Sequence, residues 1–285
     1  MTSPPAASTG PVGVIAGAGS LPFAAAASLQ SRGIKPVIFA IKGFCDPAPV
    51  AAYAHHWVAL GQVGRLMRLL RAENCRDVVF IGALVRPALS EIRLDFGTLR
   101  VFPRIAAALR GGDDHLLSGA ARILEDYGFR LLGVQDVAPD ILMPQGQLGR
   151  AAPDAGSAAD IEKGLAALRV MGPFDIGQAL VIIDGHIVSV EDIEGTDGLL
   201  DRVAALRARG RIRAKPGRGI LIKAPKVSQD LRFDLPTLGP RTIEGAVAAG
   251  LHGVAIAAGK AIVAEPQSLI EIADRAGVFV IGVPV

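Results

Sequence analysis

"GVIAGAGSLP", residues 13–22, decides how the chain begins to fold. Val12, Val14 and Ile15 make a short apolar run, a turn of small residues follows, and Leu21 opens an apolar helical stretch. Strand, glycine turn and helix N-terminus in that order start a β/α unit whose turn amides favour an anion. A dinucleotide fingerprint needs a third glycine three residues after the second, so that helix and strand pack closely. After Gly17 and Gly19 that position is Pro22, so the fingerprint is incomplete. The expectation is a phosphate near Gly19 and Ser20, with no nicotinamide or flavin implied.

Outward from this unit the alternation continues. Periodicity predicts helices over 21–30, 62–73 and 116–126, each followed by a strand, at 36–40, 77–81 and 130–134. Such alternation makes a largely parallel sheet covered by helices on both faces. The stretch "PQGQLGRAAPDAGSAAD", 144–160, loses periodicity to Pro, Gly, Ala and Ser. The domains are therefore expected at 11–145 and 158–285, with 146–157 as linker. Beyond it, "ALVIIDGHIVSVED" sets Asp184-Gly185 between two β-rich runs, a hairpin signal. Helices over 158–171, 196–209, from 242 and over 267–276 alternate with "GILIKA", "GVAIAA" and "VFVIGV". The fold class is α/β: a Rossmann-like N-terminal domain, and a C-terminal mixed sheet with helices.

Composition narrows the function. Of 285 residues 51% are apolar and only 5% aromatic, and 30 basic against 27 acidic residues leave a net charge of +3. No Lys/Arg-rich run exists and aromatics do not interleave with cations, so nucleic acid is not a partner. Cys45 and Cys75 form no zinc or CxxC spacing and read as reduced thiols. "MTSPPAASTG" has neither the charged nor the apolar region of a signal peptide, so a cytoplasmic protein is expected. In "GVAIAAGKA", Ala261 stands where a P-loop needs Ser or Thr, and no GxSxG elbow occurs.

The densest polar cluster is "KAPKVSQDLRFDLPTLG", Lys223–Gly239. Extended, Asp230, Arg232 and Asp234 share one face; helical, Asp230 and Asp234 still do. Two carboxylates beside Lys223, Lys226 and Arg232 offer metal ligands and phosphate partners together. The structural alternative is that Arg232 merely bridges Asp230 and Asp234 on a surface loop, with Thr242 capping the next helix. Glu194 and Asp197 flank Gly195-Thr196 before a helix, where Thr196 either caps the helix or holds a phosphate or ribose. "GGDDH", 111–115, places Asp114 beside a Gly-Gly turn, with Asp113 as a helix cap or Asp114 as a site residue. In "QVGRLMRLLRAEN" an apolar stripe of Val63, Leu66, Met67 and Leu70 is flanked by Arg65, Arg68 and Arg71. It packs on the sheet or touches anionic lipid.

The run matched at Lys223, Lys226, Gln229, Asp230, Arg232, Asp234, Leu235, Pro236, Gly239, Thr242, Ile243 and Glu244 resembles the signature of a bacterial family. "IAGAGSLP", "GGDDHLL", "EGTDGLL", "AGKAIV" and "ADRAGVFVIGV" extend the match over nearly the whole chain. The family is that of the metal-dependent UDP-2,3-diacylglucosamine pyrophosphatases of lipid A biosynthesis. The resemblance implies Mg²⁺-dependent cleavage of the pyrophosphate of UDP-2,3-diacylglucosamine by water at the α-phosphorus. The products would be 2,3-diacylglucosamine 1-phosphate (lipid X) and UMP, the substrate being clasped by two linked domains at a transient contact with the inner membrane. On this reading Asp230 and Asp234 bind the metal, and Asp230, Arg232 and Lys223 are catalytic. Gly19, Ser20, Lys226, Gln229, Thr196, Asp197 and Asp114 bind substrate. The alternatives are a carrier that binds the nucleotide-sugar lipid without hydrolysis, disfavoured because bare carboxylates repel a pyrophosphate, and a nucleotide-cofactor oxidoreductase, disfavoured by Pro22.

Overall fold

A computed structural model describes residues 10–84, 95, 98, 113–226, 229–232 and 235–285, without the side chains of 113–118 and 120. The chain forms two compact units, Met1–Asp140 with Asp230–Asp234 and Ile141–Gln229 with Leu235–Val285.

In the first unit, strands β1 (Val12–Ala16), β2 (Pro36–Ile41), β3 (His55–Val58), β4 (Asp77–Ile81) and β5 (Arg130–Leu131) form one parallel sheet, order β3-β2-β1-β4-β5. Parallel strands need crossovers, supplied among the described residues by helices α1 (Leu21–Ser31), the single turn α2 (Pro47–Val50), α3 (Val63–Ala72) and α4 (Asp113–Asp126). A further short helix, α5 (Val134–Val137), follows β5. Because strand side chains alternate, Ile15, Phe39 and Val78 face one core with Leu66, Met67 and Leu70 of α3 and Leu124 of α4. The apolar stripe of α3 is thus buried in the core, as the packing alternative requires, while Arg65, Arg68 and Arg71 stay exposed. The N-terminus of α3 is capped from a distance: Asp95 accepts from the amides of Gly64 and Arg65, and Thr98 Oγ1 accepts from that of Val63. The β-strand β3 escaped prediction because "HHWV" is a polar edge, and β5 is shorter than the expected 130–134.

The second unit holds a six-stranded mixed sheet, order β6-β13-β11-β9-β7-β8. Its strands are β6 (Gly146–Leu148), β7 (Ala179–Ile183), β8 (His186–Val190), β9 (Ile220–Lys223), β11 (Gly253–Ala257) and β13 (Phe279–Val283). β9, β11 and β13 run parallel, and β6, β7 and β8 add antiparallel edges. A separate parallel pair joins β10 (Thr237–Leu238) to β12 (Ile262–Val263). One face packs on α6 (Ala155–Met171) through Ile161 and Leu168. The other packs on α7 (Gly195–Ala208), α8 (Pro240–Ala248) and α9 (Pro266–Ala276). The hairpin is as the sequence predicted: Asp184 and Gly185 both have positive φ, 48° and 78°, the geometry of a two-residue type I′ turn.

Residues 146–157, expected to be linker, are instead built into this unit. Gly146–Leu148 pairs with β13, and α6 starts at Ala155, with Asp154 as N-cap accepting from Ser157 N at 2.8 Å. Glycine-rich composition concealed a three-residue edge strand. Gly239, not Thr242, caps α8, whose first residue is Pro240. Among the described residues no helix is long and apolar enough to cross a membrane.

Candidate active site

Open parallel sheets bind ligands at the carboxyl ends of their strands, where strand order reverses. In the first unit that point lies between β1 and β4, at the turn carrying the opening motif. Gly17 N donates to Ile81 O at 2.9 Å, and Ala18 and Ala83 exchange backbone bonds of 2.8 and 3.0 Å. A Cβ on Gly17 would stand 2.6 Å from Ala83 O. The first glycine therefore serves the contact between two turns rather than an anion. Gly19, at φ 95°, and Ser20 are exposed, and Ser20 precedes α1 without making a side-chain cap. Their amides have no backbone acceptor among the described residues, the arrangement that suits a phosphate.

In the second unit, Lys223 is the last residue of β9 and only 6% exposed. Its ammonium donates to Thr196 Oγ1 at 2.9 Å and to Thr237 O at 3.3 Å. Thr196 sits in the first turn of α7 and donates to Glu191 Oε1 at 2.8 Å, so it does not cap the helix, whose N-cap is Glu194. Glu191, also 6% exposed, accepts from Gln178 N through Oε2 at 2.9 Å. Sequence reasoning missed Glu191: it belongs to an acidic run, "EDIE", in which only burial distinguishes it from its neighbours. Lys226 pairs with Asp175 at 2.5 Å, and its amide donates to Gln229 Oε1 at 3.0 Å. Asp197 is engaged at the surface by Arg241, 2.8 Å away. Asp114 lies in the first turn of α4, but its side chain is outside the described residues, as is Asp234 altogether.

Around Asp230 the chain is neither extended nor helical; it turns at Leu231–Arg232. Arg232 N and Nε each donate to Asp230 Oδ1 at 3.1 Å, and Nη2 reaches Oδ2 at 2.8 Å. Arg232 Nη1 also bonds Glu125 Oε1 of α4 at 2.7 Å. Arg232 thus bridges Asp230 to Glu125, a residue 107 positions away that no local pattern could indicate, while the other expected partner, Asp234, lies outside the described residues. The Arg232 hydrogen bonds outweigh desolvation and hold the Asp230 carboxyl below the usual carboxylate range, while the Asp230 and Glu125 bonds push Arg232 up. Among the described residues no three His, Cys, Asp or Glu side chains gather as a metal cluster. The donor chemistry at Asp230 nonetheless fits Mg²⁺, which takes oxygen ligands and needs only one or two carboxylates beside water and phosphate. Arg232 and such an ion would compete for the same two oxygens.

Comparison with known proteins follows this division. A family model described as the LpxI N-terminal domain matches residues 11–141, and one described as the LpxI C-terminal domain matches residues 144–281. UDP-2,3-diacylglucosamine pyrophosphatase LpxI of Caulobacter vibrioides is 39% identical over 272 residues, 95% of this chain and 97% of that protein. A crystal structure of UDP-glucose-4-epimerase from Stenotrophomonas maltophila, with bound NAD and formylated UDP-arabinopyranose, matches 68% of this chain and 62% of that one. Its TM-score of 0.28 and 16% identity are too low to carry any argument. With both halves matched in order and a curated relative aligned almost end to end, this chain belongs to the LpxI family.

Proposed function

We propose that the protein hydrolyses the pyrophosphate of UDP-2,3-diacylglucosamine to lipid X and UMP, as a step of lipid A biosynthesis. The observation that carries this reading is the 39% identity, over 95% of the chain, to a relative named for that activity. A pyrophosphate diester carries two negative charges, so a nucleophile is repelled until those charges are offset. Lys223, a buried cation at a strand end, would meet phosphoryl oxygen, and Lys226, Gln229 and Thr196 would orient the substrate. Arg232 would add a second cation, and Gly19 and Ser20 would offer amides to a phosphate. Asp230, kept ionised by Arg232, would orient water toward the α-phosphorus and, with Asp234, hold Mg²⁺. Bound Mg²⁺ supplies neutralisation of phosphate charge and a water of lowered pKa. Contact with the membrane is transient, because the acyl chains of the substrate are drawn from a bilayer.

The test is incubation with UDP-2,3-diacylglucosamine, with and without Mg²⁺, in water enriched in heavy oxygen. Metal-dependent release of labelled UMP is expected. Label in lipid X instead would move attack to the β-phosphorus, and tight binding without cleavage would overturn hydrolysis. Folded Asp230→Ala retaining near-wild-type turnover would remove the role given to that residue.

A further inference from the structure

We infer that Glu191 is a positioning residue for Lys223, acting through the hydroxyl of Thr196; the inference rests on the role proposed above for Lys223. A threonine hydroxyl has one proton to donate. Thr196 spends it on Glu191 Oε1 at 2.8 Å, so toward Lys223 the same oxygen can only accept, which is what an ammonium 2.9 Å away requires. The accepting carboxylate thereby sets the direction of the relay and aims the ammonium.

Charge points the same way. Lys223 lies buried at the end of β9, and Thr196 stands in the first turn of α7, where the helix dipole is positive. A cation there is disfavoured unless an acid offsets it, and Glu191 is a buried acid one hydroxyl away. The backbone is shaped around this carboxylate. Its second oxygen is held by Gln178 N at 2.9 Å, and a Cβ at Gly177 would stand 2.3 Å from Glu191 O, so only glycine lets the preceding loop close on it. Glu191 N also continues the hairpin by donating to Ala179 O at 2.8 Å. A rigid hairpin end thus carries the acid that orients a lysine on the neighbouring strand.

The test compares wild type with Glu191→Gln, Thr196→Val, Thr196→Ser and the Glu191→Gln/Thr196→Val pair, each first checked for native thermal unfolding. Two readouts are taken: steady-state UMP release across pH, and the Lys223 ammonium titration by NMR of protein labelled at lysine Nε. Glu191→Gln and Thr196→Val are each expected to lower kcat roughly tenfold or more with KM changed less than about threefold. The double variant should lose little more than either single, because both break one relay. Thr196→Ser should restore activity. In Glu191→Gln the Lys223 titration and the alkaline limb of kcat should move down by about one pH unit. An unchanged Lys223 titration in a folded Glu191→Gln protein overturns the inference, as does a double variant whose losses multiply. Should wild type not cleave the substrate while the Lys223 titration still shifts, the relay stands and the proposed reaction falls.

Discussion

Adding one methyl group to Gly17 tests the reading of the opening turn. An alanine Cβ there would meet Ala83 O at 2.6 Å and the carbonyl atoms of Gly82 at 2.9 Å. All three are backbone atoms, so no side chain can rotate aside. Reaching ordinary contact requires the two turns to part by roughly 1 Å. The bonds at risk are Gly17 N to Ile81 O and the two between Ala18 and Ala83. At about 0.5–1.5 kcal/mol net for each, their loss costs about 1.5–4.5 kcal/mol. The backbone of Gly17 is not left-handed, so alanine recovers about 0.4–1 kcal/mol of unfolded-state entropy. Gly17→Ala should therefore destabilise the first unit by about 0.5–4 kcal/mol, read by urea unfolding followed by circular dichroism. Gly19→Ala, in open space but at φ 95°, should cost about 1–2 kcal/mol from backbone strain. A Gly17→Ala protein within about 0.5 kcal/mol of wild type would refute the close approach of the two turns.

Burial pushes the Cys75 thiol up to about 12 and raises that of Cys45 as well, so neither should react with a thiol reagent in the native protein at about pH 8; rapid native labelling would contradict this. Because the Asp230 carboxyl is depressed in the folded state, its pairing stabilises fully above the unfolded value near pH 4 and is lost as pH falls through the folded one. With side chains 36% and 37% exposed, the pair is screened, and Arg232→Leu should cost no more than ~1 kcal/mol at neutral pH, shrinking below pH 4. Equal denaturant midpoint differences at about pH 7 and pH 2 would argue against that linkage. Gly185→Ala in the left-handed hairpin position should cost about 1–2 kcal/mol and leave UMP release unchanged at saturating substrate.

The legible parts of the fold were those whose signal is local. Apolar runs such as "DVVFI" and the Asp184-Gly185 pair state their conformation within a few residues, because burial on both faces and left-handed dihedrals restrict composition. β6, β10 and β12 escaped, being two or three residues long and stabilised by partners far along the chain. The candidate site divides the same way. Lys223 and Asp230 were marked by the dense polar cluster at 223–239 and Thr196 by its place before a helix, whereas Glu191 and Glu125 are acids among acids. Only the third dimension assigns them, one to a threonine and the other to an arginine.

The order of strands in the second sheet has a consequence for biosynthesis. Leu148 of β6 pairs with Val280 of β13, so the edge strand is made about 130 residues before its partner. At the usual pace of translation, about 5–20 residues per second, β6 waits roughly 7–26 seconds without its partner strand. β13 lies between β6 and β11, so its late arrival closes two ladders at once. The parallel sheet of the first unit, complete once Leu131 is made, has no such delay. Nascent chains stalled between these points should therefore carry a protease-resistant first sheet and a second half still open to chaperones.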